Sequence, residues 1–264
     1  MPSVSALILG LVQGLTEFLP ISSSGHLVLV SWILDYRSPG LVLDAIVHLA
    51  TTLAVIIYFR TRIVSLIKGA VNDPESRHVI LMLALAFAAT SVVGLALSPW
   101  ISAIFESPAV AAGMLLVTAA ALVSIRYVKP AASPAPLLEI SWKVALIVGL
   151  AQGVAIFPGI SRSGLTIVAG VWGGQSRTSA AEFSFLLAVP TLLAATLFSL
   201  VREPELSVTL TGDFLAAGVV AFVAGLAAIY WLMRWLQRGR LWWFSAYCGL
   251  VGIGSLLVWG LGIL

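Results

Sequence analysis

The chain has 264 residues, of which 60% are hydrophobic and only 9% are charged, and its mean hydropathy is +1.09. This composition excludes a soluble globular protein and predicts an all-α integral membrane protein. The formal net charge of +3 is compatible with an anionic partner or with basic loops on one membrane face, and we favour the loops. The single cysteine, Cys248, excludes a disulfide framework, and no Walker loop, zinc signature or nucleotide-binding motif is present, so we expect no nucleic-acid partner.

In chain order, two apolar segments are broken and six are continuous. Residues 3–34 break at Pro20-Ile21-Ser22, and residues 141–173 break at Pro158-Gly159-Ile160-Ser161. Proline ends a helix, so each broken segment predicts two half-length helices arranged as a re-entrant hairpin. The continuous segments have the roughly 20-residue length of transmembrane helices and cover about 41–60, 78–98, 108–128, 180–200, 213–235 and 243–263.

The chain contains an internal duplication. Residues 7–25, LILGLVQGLTEFLPISSSG, return at 146–164 as LIVGLAQGVAIFPGISRSG, with identity at 11 of 19 positions. We therefore predict one membrane domain, 1–264, built from repeat one, 1–128, and repeat two, 141–264. Each repeat has one hairpin that does not cross and three spans that do, so the second copy must be inverted in the membrane.

The basic residues predict the orientation of this topology. Eleven of them fall on one face and only two, Arg37 and Arg202, on the other. Basic residues in short loops stay on the cytoplasmic side, so both termini and the 35–40 and 201–212 loops are predicted outside, and the 61–77, 129–141 and 236–242 loops inside. The eleven are Arg60, Arg62, Lys68, Arg77, Arg126, Lys129, Lys143, Arg177, Arg234, Arg238 and Arg240.

The two breaks predict an anion site. If the hairpins enter from opposite sides, their serine-rich turns meet, and each turn opens a helix whose free N–H groups and partial positive charge attract an anion. Arg162 adds a bidentate fork suited to phosphate. The alternative is an internal Arg162–Glu17 ion pair that only locks the two halves together. The predicted phosphate-binding residues are Ser22, Ser24, Gly25, Ser161, Arg162, Ser163, Gly164 and Thr166.

The chemical groups differ between the two copies. Glu17 and His26 of the first copy are replaced by Ile156 and Leu165 in the second. Gln13 precedes Glu17 by one helical turn and shares its face. A buried carboxylate at Glu17 has three possible roles, which are to bind a divalent cation, to accept a proton, or to orient His26 or Arg162. His26 is placed to exchange a proton with a group at the helix terminus.

Further polar residues lie in the continuous segments. Asp44 and His48 share a helix face, and they either support the site or form an ordinary pair at the membrane interface. Glu182 and His78 lie near the predicted cytoplasmic face. We assign Glu182 a structural role and His78 an interfacial one.

The motifs EFLPISSSGH at 17–26, PGISRSGLT at 158–166 and AEFSFLLAVP at 181–190 resemble those of the undecaprenyl-diphosphate phosphatase family of bacitracin-resistance type. The likeness covers essentially the whole chain. The family's glutamate-rich signature allows Glu or Gln at its first position, which here is Gln13. Because Gln13 is an amide, this chain has one carboxylate fewer than a mechanism in which two glutamates bind a metal would require.

This resemblance implies a plasma-membrane phosphatase that converts a long polyprenyl diphosphate to the monophosphate carrier lipid and inorganic phosphate. It implies Ser23 as nucleophile, His26 as acid or base, Glu17 as a metal-binding or orienting residue, and Arg162 as the phosphate clamp. A divalent cation, Mg²⁺ or Ca²⁺, and a homodimer are further expectations. We favour Ser23, activated by His26, over direct attack by water. The rival class is a lipid transporter or flippase, because inverted repeats with broken helices also build transporters.

Overall fold

In the computed structural model, residues 4–35, 41–101, 107–128, 136–202, 212–237 and 241–262 are described. These parts of the chain form eleven α-helices joined by turns. Two short 3-10 helices occupy Ile125–Tyr127 and Leu137–Glu139. The α-helices are α1 (Val4–Phe18), α2 (Ser23–Ile33), α3 (Leu41–Tyr58), α4 (Arg60–Gly69), α5 (Pro74–Ile101), α6 (Pro108–Ser124), α7 (Trp142–Val154), α8 (Arg162–Trp172), α9 (Arg177–Arg202), α10 (Gly212–Gln237) and α11 (Trp242–Gly260).

Both predicted helix breaks are present. Helix α1 ends two residues before Pro20, and α7 ends four residues before Pro158, as expected for a residue that removes a backbone donor. Gly159 has φ +95°, and a Cβ atom at this position would lie 2.1 Å from the Ala111 carbonyl oxygen. This turn of repeat two therefore requires glycine for both its backbone conformation and its close approach to α6.

Five helices, α5, α6, α9, α10 and α11, are long and apolar enough to cross a membrane. The segment predicted at 41–60 forms helix α3, which ends at Tyr58, and the chain then bends by 72° at Phe59 into α4. Part of the predicted 61–77 loop is thus helical. The bend follows a composition change, since α3 is strongly apolar whereas α4 carries Arg60, Arg62 and Lys68.

Asp73 ends this loop by capping α5. Its carboxylate accepts hydrogen bonds from the backbone N–H of Glu75 and from the backbone N–H and hydroxyl of Ser76. The bonds from Ser76 hold the pKa of the Asp73 carboxyl below its ordinary value. The cap therefore sets where the long helix begins.

The half-length helices α1 and α7 pack reciprocally. Helix α1 lies against α10, and α7 lies against α5. Gly10 and Gly149 occupy equivalent positions of the duplicated segments, and a Cβ at either would lie 2.4 Å from a carbonyl oxygen, that of Ala217 or Ala86 respectively. Each repeat therefore supplies the long helix on which the other repeat's half-helix rests, through a contact that only glycine permits.

An aromatic cluster fills the interior behind the first break. Phe18 packs edge-on against Phe185 with ring centroids 5.7 Å apart, and Phe59 lies 6.0 Å from the same ring. Phe18 and Phe185 are fully buried. Since Phe18 directly follows Glu17, this cluster holds the end of α1 in place.

Candidate functional site

The turns of the two breaks lie against each other. The Ser163 hydroxyl donates to the Leu19 carbonyl oxygen at 3.0 Å. A Cβ added at Gly25 would be 2.8 Å from the Gly159 Cα. The approach of the two serine-rich turns, predicted from the sequence, is therefore seen in the structure.

Each turn is closed by a serine that caps the next helix. Ser22 accepts from the Gly25 N–H at 3.2 Å, and Ser161 accepts from the Gly164 N–H at 3.0 Å. Ser22 has φ 70°, an unusual conformation for a residue other than glycine, which costs about 1–3 kcal/mol and is found mainly at functional sites. Because the N–H groups of Gly25 and Gly164 already donate to the capping serines, they are not available to bind a ligand.

The serine runs are not equally accessible. Ser24 lies 3.3 Å from Ser22, and Ser161 lies 3.3 Å from Ser163. Ser161 and Ser163 are each only 1% exposed, whereas Ser23 and Ser24 are partly exposed. The open side of the site therefore faces the serines of repeat one.

Glu17 is the centre of the polar cluster. Its Oε1 pairs with Arg162, while its Oε2 accepts from the Ser23 hydroxyl at 2.5 Å and from Gln13 Nε2 at 2.9 Å. His48 Nε2 lies 4.0 Å from the same oxygen. The Glu17 side chain is only 4% exposed. One buried carboxylate thus gathers two cationic or titratable residues and the predicted nucleophile.

Two buried polar atoms of this cluster have no hydrogen-bond partner among the described residues. They are Arg162 Nη1 and Gln13 Oε1. An unpaired buried donor or acceptor is costly, about 1–3 kcal/mol each, so such atoms mark places where a ligand or water completes the bonding. The Arg162 fork therefore has one branch on Glu17 and one branch free.

His26 is held in a single orientation. Its Nδ1 lies 2.7 Å from the Ser22 carbonyl oxygen, and its Nε2 lies 2.9 Å from the Tyr247 hydroxyl. A carbonyl only accepts, so Nδ1 carries a proton and Nε2 is the nitrogen that exchanges one. Ser23 is bonded to Glu17, so the structure does not bring His26 to Ser23 as expected from their spacing.

Sequence reasoning missed two residues. Tyr247 stacks on His26 with ring centroids 5.6 Å apart and planes 8° apart. Thr118 bridges the second break, because its hydroxyl donates to the Gly159 carbonyl and accepts from the Ser161 N–H. Neither residue lies in a duplicated motif, so only tertiary contacts identify them.

Other predicted site residues have structural partners. Thr166 is fully buried, and its hydroxyl bonds to the Arg162 carbonyl and to Ser184, so it faces its own helix and α9. Asp44 accepts from His48 Nδ1 through its backbone oxygen at 2.7 Å. Of the pair on α3, His48 therefore reaches the site, and Asp44 supports it through the backbone.

The two residues assigned structural or interfacial roles also have partners. Glu182 forms an ion pair with Arg62 at 2.9 Å and so ties α9 to α4. His78 Nε2 lies 2.8 Å from the Ile140 carbonyl oxygen and joins α5 to the turn before α7. Both contacts link elements away from the Glu17 cluster.

The residues around Glu17 can hold a cation only together with other ligands. No group of three or more His, Cys, Asp or Glu suited to a metal occurs in the described ranges. The unpaired Gln13 Oε1 and the Glu17 carboxylate nevertheless present two oxygens on one helix face. Mg²⁺ is commonly bound by one or two carboxylates together with substrate phosphates and waters, and Glu17 fits that pattern as a single carboxylate, with the Gln13 amide oxygen as an additional neutral ligand.

The fold and the site define a multi-pass membrane protein with a buried Glu17–Arg162 pair, bonded to Ser23, at the junction of two broken helices. The chain belongs to the bacitracin resistance protein BacA family, whose model matches residues 6–254. It is 38% identical to the undecaprenyl-diphosphatase of Desulfatibacillum aliphaticivorans, over 96% of this chain and 98% of the relative. It is 42% identical to that of Korarchaeum cryptofilum, over 97% and 99%, and 39% identical to that of Acinetobacter baumannii strain AYE, over 96% and 94%.

Proposed function

We propose that the protein is an undecaprenyl-diphosphate phosphatase that releases inorganic phosphate and leaves the monophosphate carrier lipid in the membrane. The observation that carries this proposal is the buried cluster in which Ser23 bonds to Glu17 while Arg162 keeps one branch of its fork free. A site of this kind combines a hydroxyl nucleophile, a base and a guanidinium group that binds phosphate oxygens. Relatives that align with 96% and 97% of this chain are undecaprenyl-diphosphatases.

The free branch of Arg162 supports a phosphate clamp. We infer that a terminal phosphate binds Nη1 and competes with Glu17 for Nη2, so that the resting Arg162–Glu17 pair opens as substrate enters. Before substrate binds, Arg162 and Glu17 neutralise each other, because an uncompensated buried charge would be strongly destabilising. The position of the unpaired Nη1 beside two serine-rich helix starts favours the clamp over a purely structural pair.

The Ser23–Glu17 bond supports Glu17, and not His26, as the base. Glu17 takes the proton as Ser23 Oγ bonds to the terminal phosphorus, and the bond to the bridging oxygen breaks with its electron pair leaving on the polyprenyl monophosphate. Water then replaces Ser23 at phosphorus. The bond between Ser23 Oγ and phosphorus breaks, Glu17 returns its proton to Ser23 Oγ, and the released phosphate keeps both protons of the water as H2PO4⁻.

The proton-exchanging nitrogen of His26 supports a second role. With Nδ1 bonded to the Ser22 carbonyl oxygen, Nε2 is the ring nitrogen that contacts the Tyr247 hydroxyl. Tyr247 is 42% exposed, whereas His26 is 8% exposed. We assign His26 to proton exchange between the site and the surroundings.

A divalent cation, Mg²⁺ or Ca²⁺, is part of the proposal. Glu17 and Gln13 would hold it together with phosphate oxygens, and it would neutralise charge on the diphosphate. Because only one of these two residues is charged, we expect the cation to bind with the substrate and weakly without it.

The proposed arrangement in the membrane has six crossings and two re-entrant hairpins in an inverted repeat, with α3 and α4 together as one crossing. The reciprocal packing of α1 on α10 and of α7 on α5 supports the repeat. The predicted charge bias supports termini outside and a site that opens to the outer face of the plasma membrane. Arg37, Lys129, Arg238 and Arg240 of that count lie outside the described residues.

A phosphate-release assay tests the activity. Purified full-length protein should release inorganic phosphate from undecaprenyl diphosphate, and a chelator should reduce the rate if a divalent cation is required. Arg162→Ala, purified in parallel, is the control for contaminating phosphatases. A wild-type preparation that transports the lipid across vesicles without releasing phosphate would instead support the transporter.

A further inference from the structure

An apolar groove lies between α2 and α11, beside the site. It has a volume of about 280 Å³. Its walls are apolar except for the Ser255 hydroxyl and the indole N–H of Trp32. The lining residues are Leu29, Trp32 and Ile33 from α2, and Leu250, Val251, Gly254, Ser255 and Val258 from α11.

The groove begins where the polar site ends. The contact between His26 Nε2 and the Tyr247 hydroxyl joins the first turn of α2 to α11. The first lining residues, Leu29 and Leu250, each follow that contact by three residues, and the lining then continues along both helices. From Leu250 to Val258 the lining on α11 extends about 12 Å at the 1.5 Å rise of an α-helix. Its polar end is therefore at His26.

The other end of the groove is open to the bilayer. Ile33, at the end of the lining on α2, is a large apolar side chain that is 59% exposed, and Val258, at the end of the lining on α11, is partly exposed. Helix α6 packs against both α2 and α11 and so supports the groove from behind. An extended apolar chain can therefore lie in the groove with one end in lipid and the other beside the serine-rich turn.

We propose that this groove binds the isoprenoid chain of the diphosphate substrate, in the units next to the diphosphate. The inference rests on the proposed function. Because lipid tails are as apolar as the groove, its walls contribute packing and alignment more than transfer free energy. Its effect is to direct the diphosphate toward Ser23 and Arg162, which raises the rate through positioning.

Gly254 determines how much chain the groove accepts. A Cβ at this position would meet nothing within 4 Å, so a larger side chain would extend into the groove without clashing with the protein. Gly249 lies on the same helix, has equally open surroundings and does not line the groove. These two glycines provide a variant and its matched control.

The first experiment compares Gly254→Phe with Gly249→Phe on two substrates. Undecaprenyl diphosphate needs the groove, whereas isopentenyl diphosphate carries the same diphosphate on a single isoprene unit. We expect Gly254→Phe to lower kcat/KM for undecaprenyl diphosphate about 10-fold or more, and to leave the short substrate and the Gly249→Phe control unchanged. Equal losses on both substrates, or no loss on the long one, overturn the inference.

The second experiment needs no variant. Wild-type protein is irradiated with a prenyl diphosphate that carries a diazirine on its second isoprene unit, and the labelled peptides are identified by mass spectrometry. Labels in 29–33 and 250–258 that are displaced by undecaprenyl diphosphate support the groove. Labels elsewhere, or labels displaced equally by phosphatidylglycerol, mean that the groove holds ordinary bilayer lipid.

The two proposals fail in distinguishable ways. If wild-type protein releases no phosphate from either diphosphate, the proposed function is wrong and the groove loses its basis. If wild-type protein hydrolyses both substrates while Gly254→Phe matches Gly249→Phe and the groove is unlabelled, the function stands. Only the assignment of the groove is then wrong.

Discussion

At the scale of single residues, Glu17 and Arg162 depend on each other. Both side chains are largely buried, at 4% and 14% exposed, so loss of either charge leaves the other without its partner. Removal of one member of a buried pair typically costs about 3–5 kcal/mol, whereas loss of both charges is often nearly neutral. Stability and activity therefore respond differently to single and double substitutions.

We expect Glu17→Gln and Arg162→Gln each to lower stability, and the double variant Glu17→Gln/Arg162→Gln to recover most of it without recovering activity. The reason is that the pair balances charge in the resting site, while catalysis needs both groups. Thermal unfolding in detergent and phosphate release measure the two effects. An active double variant would show that the pair only locks the two halves together.

Arg162→Lys tests the clamp itself. Lysine keeps the charge but cannot place one branch on Glu17 and another on phosphate. We expect kcat/KM for undecaprenyl diphosphate to fall about 100-fold, as for loss of one preorganised donor to a developing charge. Normal turnover by Arg162→Lys would show that the site needs only a positive charge at this position and no bidentate clamp.

The chemistry at Ser23 can be decided stereochemically. A phosphoserine intermediate involves two in-line displacements, so we expect retained configuration at phosphorus when a chiral, isotopically labelled diphosphate is hydrolysed. Direct attack by water would invert it. Inversion would leave Ser23 as a hydrogen-bond donor to Glu17 and assign attack to a water molecule.

At the scale of helices, packing of the half-helices depends on glycines that touch a neighbouring backbone. A Cβ added at Gly149 would lie 2.4 Å from the Ala86 carbonyl oxygen. A Cβ added at Gly94, on helix α5 against which α7 packs, would have no neighbouring atom within 4 Å. Alanine is favoured over glycine in an open helix by about 0.5–1 kcal/mol, but overpacking a close contact costs about 1–3 kcal/mol. A change from glycine to alanine should therefore destabilise the protein at position 149 and not at position 94.

We expect Gly149→Ala to lower the thermal stability of the protein in detergent and Gly94→Ala to leave it unchanged or raise it slightly. The first variant forces α7 away from α5, and the second only restricts the unfolded chain. Thermal unfolding of both variants, prepared in parallel, measures the difference. Equal stability of the two would mean that α7 does not pack closely on α5.

At the scale of the whole molecule, the proposed inverted arrangement predicts on which side of the membrane each loop lies. The loop after α4 is predicted inside, and Val71 in it is 78% exposed. Asp35, after α2, is exposed and predicted outside. Since the native Cys248 is fully buried, a Cys248→Ser background removes a residue of little reactivity.

In that background, a membrane-impermeant thiol reagent applied outside intact cells should label Asp35→Cys and not Val71→Cys. Permeabilised cells should label both, which controls for accessibility. Labelling of Val71→Cys from outside would contradict the basic-residue assignment, because the loop after α4 would then lie on the outer side.

The membrane class, the duplication, both helix breaks and the approach of the two serine-rich turns could all be predicted from the amino-acid sequence. These features follow from local rules, since proline ends helices anywhere and apolar length decides what can span a bilayer. It also placed Gln13 and Glu17 on one face, as their four-residue spacing requires. The predicted helix at 41–60 is confirmed as α3 over Leu41–Tyr58, but α4 was not predicted, because apolar length does not show that the chain bends at Phe59 and continues as a helix.

Only the tertiary structure decided which groups meet. Ser23 bonds to Glu17 six residues away through the reversal at Pro20, while His26, three residues from Ser23, turns to Tyr247, which is 221 residues distant. The α2–α11 groove likewise joins helices from opposite ends of the chain. Spacing along one helix predicts only neighbours on that helix, whereas hydrogen-bond partners across a break depend on how all the helices pack.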